Sequence, residues 1–419
     1  MNQNENINEQ QAANIPPVVK PTKKPLSVSI PTLILLLVLT ALITFQTTYV
    51  VLNVKHTLEI TKTKAQMGEF GVLLEAYEIF GENCIYDLDG KTLSELMLSA
   101  FRAQDQYSSY YTAEEFAEML SSSQGEAKGI GIYISGTGTT MVVNYVMENS
   151  PAASAGVKAG DEVLAIDGHL ISEIGYTAAT DLVLGKEGTN VVLTILRNGE
   201  KKDITVTRGK YTPQTVLYSE IEHDGEKIGY VKLIQFDTLT VEQFKGAVEA
   251  LRASGCEKLV FDLRSNPGGE LDSVVEILDY LLPEGPITHI LDADKNVVEV
   301  YKSDAKCVDM PMAVITNGST ASAAELFTSA LRDYEMAEIV GTKTYGKGCG
   351  QNFYRLSNGG WITITSFFYN PPFGENYDGE GIHPNIEVEL PDEYKNSNLF
   401  LLPKEADTQL QAALTALTK

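Results

Sequence analysis

Asn317-Gly-Ser-Thr-Ala-Ser322-Ala-Ala-Glu325 follows an apolar run, Met312 to Thr316, and is followed in turn by Thr344-Tyr-Gly-Lys347-Gly-Cys-Gly-Gln351. The apolar run reads as a strand and the small residues behind it as a helix start, so Ser322 stands at a strand-to-helix junction. Lys347 comes 347 − 322 = 25 residues later, between two glycines. Serine is a weak nucleophile until a neighbouring base takes its proton. A lysine serves as that base only when burial draws its pKa from about 10.4 towards ~7–8, which asks about 3–5 kcal/mol of its surroundings. The glycines would let the backbone approach closely, and Gln351 is a neutral group able to hold the amine. Taken singly, Ser319 to Ala324 would be an N-cap with close helix packing, and Gly-Lys-Gly a solvated turn. The pair, in this order and behind a strand, points to nucleophilic catalysis.

These segments resemble the C-terminal processing peptidases, or tail-specific proteases. That family places a catalytic serine in a Ser-Ala-Ser-Ala-Ser-Glu-like run, then a lysine and a glutamine in Gly-Lys-Gly-x-x-Gln. The resemblance implies Ser322 as nucleophile, Lys347 as general base and Gln351 as orienting residue. Arg264-Ser-Asn-Pro-Gly-Gly269, behind the strand Lys258 to Leu263, is similar to the family loop that lends a backbone N–H to the oxyanion hole. The implied donors are the Gly268/Gly269 loop and the Ala323 N–H, at a helix N-terminus whose dipole also favours negative charge. Asn370-Pro-Pro-Phe-Gly-Glu and Gly379-Glu-Gly-Ile-His-Pro-Asn385 resemble the family's closing strand and Gly-Ile-x-Pro-Asp motif, with Asn385 in place of aspartate. The stretch from Gln104 to Phe116 is similar to the family's Asp-Pro-His-Ser-Ser-Tyr-x-Thr-Pro-Glu-Glu. It lacks the proline and histidine and reads as packing without chemistry.

At 419 residues the chain suggests two folded units plus appendages, and 43% hydrophobic content supports filled cores. A net charge of −24 argues against nucleic acid and against a basic membrane-binding face. Cys84, Cys256, Cys307 and Cys349 lie far apart, without the pairing of a zinc site or a disulfide framework. Cys349 is an alternative nucleophile by position, but no histidine stands near it and a small loop residue is the preferred reading. His56, His169, His223, His289 and His383 show no metal spacing, and a Ser-His-Asp triad through His289 or His383 is the weaker arrangement. Asp262, Asp272 and Glu325 read as structural ions or caps. No metal or cofactor is expected.

The fold expected is multidomain α/β. Residues 1–27 are polar and read as a disordered cytoplasmic tail, and 28–54 as a transmembrane signal anchor, with Lys20, Lys23 and Lys24 on its inner side. A cleaved secretory signal and a buried core helix are the competing readings of that run. A helical arm is expected over 64–120, from the spacing of Phe70, Leu73, Leu74, Tyr77 and Phe80 and the capping boxes Thr92–Glu95 and Thr112–Glu115. Residues 125–210 change to short strands and turns, with Ser150-Pro-Ala-Ala-Ser-Ala-Gly156 as a miniature helix, a helix over Tyr176 to Leu184, and a hairpin at Asn198-Gly199. The succession resembles a PDZ domain of the bacterial protease type, which implies peptide capture at Gly129, Ile130, Gly131 and Ile132. Where the family often has an arginine before Gly-Lys-x-Gly-Thr, this chain has Leu184, which leaves Lys186 as the nearby cation. Residues 215–390 read as an α/β peptidase core of the ClpP/crotonase-like type. It carries a helix capped by Thr240-Val-Glu-Gln243, and residues 391–419 read as a C-terminal tail.

The expected protein is a single-pass plasma-membrane serine endopeptidase with its catalytic domain outside the cytoplasm. Its partners would be polypeptides with apolar C-termini and the membrane, not nucleic acid, and a homodimer is left open. The competing classes are a catalytically inactive PDZ scaffold and a crotonase-like acyl-CoA enzyme. An inactive scaffold has no chemical reason to keep Ser322, Lys347 and Gln351 together, and acyl-CoA enzymes of that fold usually lack a PDZ module and a membrane anchor.

Overall fold

The computed structural model describes residues 29–66, 105–123, 127–137, 139–395 and 397–418. The polar tail 1–27, the Phe70 to Phe80 pattern, the Thr92–Glu95 capping box and Cys84 lie outside them. Taken by itself, the N-terminal unit has, among its described residues, the helix Ile30–Gln66. Its first 23 residues, Ile30–Leu52, have a mean hydropathy of 2.1, none is buried, and they are long and apolar enough to cross a membrane. A signal sequence and an anchor both have these properties. Thr40, Thr44 and Thr47 each donate a hydroxyl to the carbonyl four residues earlier, which removes the polar penalty of threonine in an apolar run.

The peptidase-like region is built on a six-stranded sheet. Its order is Val216–His223, Glu226–Leu233, Lys258–Asp262, Met312–Thr316, Ala337–Gly341 and Ile386–Glu387. The first pair is antiparallel and the rest run parallel. Met312–Thr316 is buried at every residue, as parallel strands covered on both faces must be. One face packs Phe244, Phe261 and Phe327, with ring centroids 5.4–6.3 Å apart, beneath the helices Thr238–Ala253, Leu271–Leu281 and Ala323–Asp333. The first of these helices starts earlier than Thr240. Asp237 is its cap and accepts the N–H of Leu239 and Thr240, while Gln243 turns away to accept the Thr215 and Val216 N–H. A carboxylate simply makes the stronger cap.

Residues 391–419 are not a tail. The helix Thr408–Thr418 lays Leu410, Ala413, Leu414 and Leu417 on the other face of the sheet, against Ile228, Val260, Ala313, Ile315 and Val340. Just before it, Asp407 pairs with the buried guanidinium of Arg264 at 2.8 Å, and Arg264 also grips Asp262 at 2.7 Å. The apolar stripe of this short helix is too brief to announce itself in the sequence, and its partner face exists only once the sheet is assembled.

A second, antiparallel sheet brings Ser109–Tyr111 against Trp361–Asn370, which also pairs with Gly285–Leu291 and Cys349–Arg355. The Thr112–Glu115 capping box forms and starts the helix Ala113–Ser123, whose Phe116 stacks on Trp361 at 4.1 Å. Residues 105–123 are thereby woven into the peptidase-like region.

The third sheet is ordered Ile132–Thr137, Thr140–Val146, Glu162–Ile166, Asn190–Arg197, Glu200–Thr207. Arg197 pairs with Glu200, leaving Asn198 and Gly199 as a two-residue turn, both with positive φ. Ser150 caps Pro151–Ala155, and Gly156 closes it in the left-handed conformation. The helix Ile171–Val183 breaks at Gly175, so its regular part begins at Tyr176. Phe400 joins this sheet to the core, with its ring centroid 6.5 Å from Tyr133 and 6.2 Å from Tyr145. Lys232 Nζ lies 5.2 Å from the same ring.

Candidate active site

Three neighbouring parallel strands, Lys258–Asp262, Met312–Thr316 and Ala337–Gly341, end on the same edge. The loops leaving them, 263–270, 317–322 and 342–348, therefore meet. Ligands of open α/β sheets collect at such carboxyl ends. The cleft there measures about 840 Å³, and Ser322, Lys347, Gln351, Gly268, Gly269 and Ala323 all line it. Residues separated by up to 83 positions (351 − 268) in sequence thus share one surface.

Ser322 has φ 57° and ψ −123°, a conformation that L side chains seldom adopt and that costs about 1–3 kcal/mol. The neighbouring Glu325 holds it there. The Glu325 carboxylate is fully buried and accepts the N–H of Ser322 at 2.9 Å, of Lys347 at 2.8 Å and of Gly346 at 2.7 Å, together with the Thr344 hydroxyl. Glu325, read from the sequence as a cap, therefore also binds the serine turn to the lysine loop. The Ser-x-x-Glu spacing signals the cap, but nothing in it signals the loop.

Burial lowers the Lys347 pKa below the ordinary lysine value, although Cys349, Asp105, Asp378 and Glu325 pull the other way. Its Nζ donates to Gln351 Oε1 at 2.9 Å, and Gln351 Nε2 donates to Thr365 Oγ1 at 3.2 Å. Ser322 Oγ is met by the Tyr369 hydroxyl at 3.3 Å, and the same hydroxyl donates to Lys347 O at 2.7 Å. Burial pushes the Tyr369 phenol far up, so it stays protonated. Among the described residues, Lys347 Nζ and Ser322 Oγ share a cleft without a direct hydrogen bond. In unliganded sites such contacts are often long and tighten with substrate.

The glycine loop presses closely on the serine turn. A Cβ on Gly268 would lie 2.7 Å from Ser322 Cβ and 2.8 Å from Ala323 N, so only glycine fits. The Gly268 N–H, expected to face an oxyanion, donates instead to Asn266 Oδ1 at 2.8 Å. That leaves the Gly269 N–H and the Ala323 N–H, the latter at the first turn of its helix with no intrahelical acceptor. Burial, reinforced by Asp378, pushes the Cys349 thiol up to about 12, so it is not a thiolate in waiting. Neither His289 nor His383 lines the cleft.

Tyr107, Thr365 and Tyr369 were not recognised as site residues from the sequence. Tyr107 belongs to a segment read as packing, yet Lys347 Nζ is 4.7 Å from its ring centroid. Thr365 and Tyr369 lie on Trp361–Asn370, where nothing but strand alternation is legible.

The Gly129–Ile132 segment opens the edge strand of the third sheet. A Cβ on Gly131 would collide with Ser150 Cβ at 2.4 Å, and the Ile130 and Gly131 carbonyls accept the N–H of Ala152 and Met147. The outer edge of Ile132–Thr137 faces the Tyr176 side chain, whose hydroxyl donates to Ile134 O at 3.4 Å. Leu184 is half exposed, and Lys186 is exposed as well. The cation at this helix end is the buried Arg208, which donates to the Leu182, Val183 and Asn190 carbonyls and to the Thr189 hydroxyl.

The profile of peptidase family S41 matches residues 227–388, and that of the PDZ domain matches residues 128–207. The chain is 34% identical over 351 residues to a carboxy-terminal-processing protease of Bartonella bacilliformis, covering 81% of this chain and 79% of that protein. It is 29% identical to a CtpA-like serine protease of Staphylococcus aureus, covering 80% of this chain and 68% of the relative. A crystal structure of a Bacteroides fragilis protein placed among the S41 proteases shares the fold. Its TM-score is 0.57 at 18% identity, over 75% of this chain and 87% of that one.

Proposed function

This chain belongs to peptidase family S41 as a serine peptidase of the carboxy-terminal-processing type, and from that premise we propose that Ser322 is its nucleophile and Lys347 its general base. Neutral Lys347 takes the Ser322 proton as Oγ attacks the peptide carbonyl. The resulting oxyanion rests on the Gly269 and Ala323 N–H groups. Collapse breaks the C–N bond, and the Lys347 ammonium returns its proton to the leaving amine. Water, deprotonated by the same lysine, then hydrolyses the acyl-enzyme. Gln351 holds the amine through its Oε1.

The observation that carries this reading is the Lys347–Gln351 hydrogen bond in the cleft shared with Ser322. Ser322→Ala and Lys347→Ala should each abolish casein cleavage and leave the circular dichroism of the fold unchanged. Lys347→Arg should fail as well, since arginine stays protonated. Turnover by purified Lys347→Ala would refute the assignment.

The PDZ domain is suited to bind the C-termini of peptide substrates. In this reading a tail with an apolar last residue adds as a strand beside Ile132–Thr137, with its carboxylate at the Gly129–Gly131 turn. The apolar N-terminal helix serves as an uncleaved anchor, with Lys20, Lys23 and Lys24 kept in the cytoplasm and the peptidase outside. A tag before Lys20 that proved accessible on intact cells would reverse that topology.

A further inference from the structure

Tyr107 turns its ring face to the amine that is to accept a proton, with Lys347 Nζ 4.7 Å from the ring centroid. We propose that Tyr107 is a positioning residue for the general base, its ring receiving the positive charge that appears on Lys347 as the amine takes the Ser322 proton. The proposal rests on the Ser–Lys reading given above.

The face of an aromatic ring is electron-rich and attracts an ammonium, but not a neutral amine. The attraction therefore grows as the proton moves, and an interaction stronger in the transition state than before it is one that accelerates the step. The ring is held to the same frame as the orienting amide. The Tyr107 N–H donates to Asp105 Oδ1 at 3.0 Å, and Asp105 Oδ2 accepts the Thr365 N–H at 3.1 Å. Thr365 Oγ1 in turn accepts from Gln351, which accepts from Lys347. The amine is thus gripped from two sides by one connected framework.

Other charges face the amine and remain when the ring is changed. Asp105 comes from the segment of Tyr107 itself, Asp378 from the loop after Asn370, and Glu325 from the helix behind Ser322. Cys349, two residues after the lysine, is held as a thiol. Burial, with Tyr345, Cys349 and Asp378 adding to it, raises the Tyr107 phenol to about 12, so at working pH the ring acts through its face and not as a phenolate.

The test is kcat/KM against pH for the full-length chain in detergent micelles, with fluorescein-labelled casein as substrate. Wild type is compared with Tyr107→Phe, Tyr107→Leu and Lys347→Ala. Leucine keeps an apolar cover and removes the ring face. The ammonium then loses its partner, the lysine pKa falls, and the acid limb moves to lower pH by about 0.4–1.5 units. The plateau drops by roughly 2- to 30-fold. Phenylalanine keeps the limb where wild type has it. The position of a limb does not depend on the fraction of enzyme folded, so partial misfolding cannot imitate the shift. A Tyr107→Leu limb that coincides with wild type or moves upward overturns the proposal, and so does a Tyr107→Phe limb that moves with it. If Lys347→Ala is inactive, such a result removes the role of Tyr107 alone. Turnover by Lys347→Ala would remove the Ser–Lys reading and this proposal together.

Discussion

The buried carboxylate of Glu325 accepts the backbone N–H of Lys347 at 2.8 Å, across 22 residues of sequence. Because the same carboxylate also holds the Ser322 N–H, one side chain sets the spacing of the proposed nucleophile and base. Glu325→Ala would strand buried N–H groups, at about 1–3 kcal/mol each. The expected result is a fall in kcat of more than about tenfold at little change in KM, with a lower Tm. Glu325→Gln, which keeps one acceptor, should fall between. Steady-state kinetics on casein with parallel thermal melts would show it, and an unchanged kcat in Glu325→Ala would refute the spacing role.

Tyr369→Phe removes the hydroxyl that links Ser322 Oγ to Lys347 O. One hydrogen bond to a reacting group predicts a loss of about 3- to 12-fold in kcat with KM preserved. A rise in KM alone would mean that Tyr369 serves the substrate and not the serine.

The lowered pKa of Lys347 fixes two signs. In the proposed mechanism Lys347 acts as the neutral amine, so kcat/KM should climb with pH along a limb below the ordinary lysine value. Between its lowered folded pKa and about 10.4 the unfolded chain binds more protons at this site than the folded one, so this lysine makes stability rise with pH. Lys347→Met removes that dependence. It should be more stable than wild type at neutral pH, by a Tm difference that narrows as pH approaches 10. A constant difference would mean that Lys347 is not perturbed by its surroundings.

Removing residues 391–419 uncovers the sheet face of Ile228, Val260 and Ile315 and leaves Arg264 without Asp407. The truncated protein should therefore be insoluble or unfolded. Asp407→Ala alone should cost about 3–5 kcal/mol, because it leaves part of a buried guanidinium unpaired. Urea unfolding of the point variant checks the figure, and a truncated protein with wild-type stability would contradict the packing.

In the PDZ region, a peptide ending in Val with a free carboxylate should bind, and its C-terminal amide should bind far more weakly. A strand added beside Ile132–Thr137 must compete with the Tyr176 hydroxyl for Ile134 O. Tyr176→Phe should then bind the same peptide about 2- to 12-fold more tightly, as isothermal titration would register. Lys186→Ala should leave binding unchanged, since Arg208 is the cation packed at that helix end. Weaker binding by Tyr176→Phe would instead make the hydroxyl a contact to the peptide.

Features that depend on neighbouring residues are legible in the order of the chain. A largely apolar strand before small residues placed Ser322 at a helix start. Asn198-Gly199 set a hairpin because two positive φ angles are wanted there, and Ser150 and Gly156 bounded a short helix. The Ser322, Lys347 and Gln351 pattern was legible because each residue type is chemically demanding at its spacing. Features that depend on distant segments meeting follow from the packed fold. Whether the Gly268 or the Gly269 amide is free turned on where Asn266 points, which no spacing reports. Tyr107 and Tyr369 came to the site through strand pairing between segments 250 or more residues apart, Ser109–Tyr111 with Trp361–Asn370. The helix after Asp407 became core only because the sheet offered it a second apolar face. Hydrogen bonds and burial of this kind act through space. A chain read in order carries the partners, but their meeting is fixed by the packing of the whole.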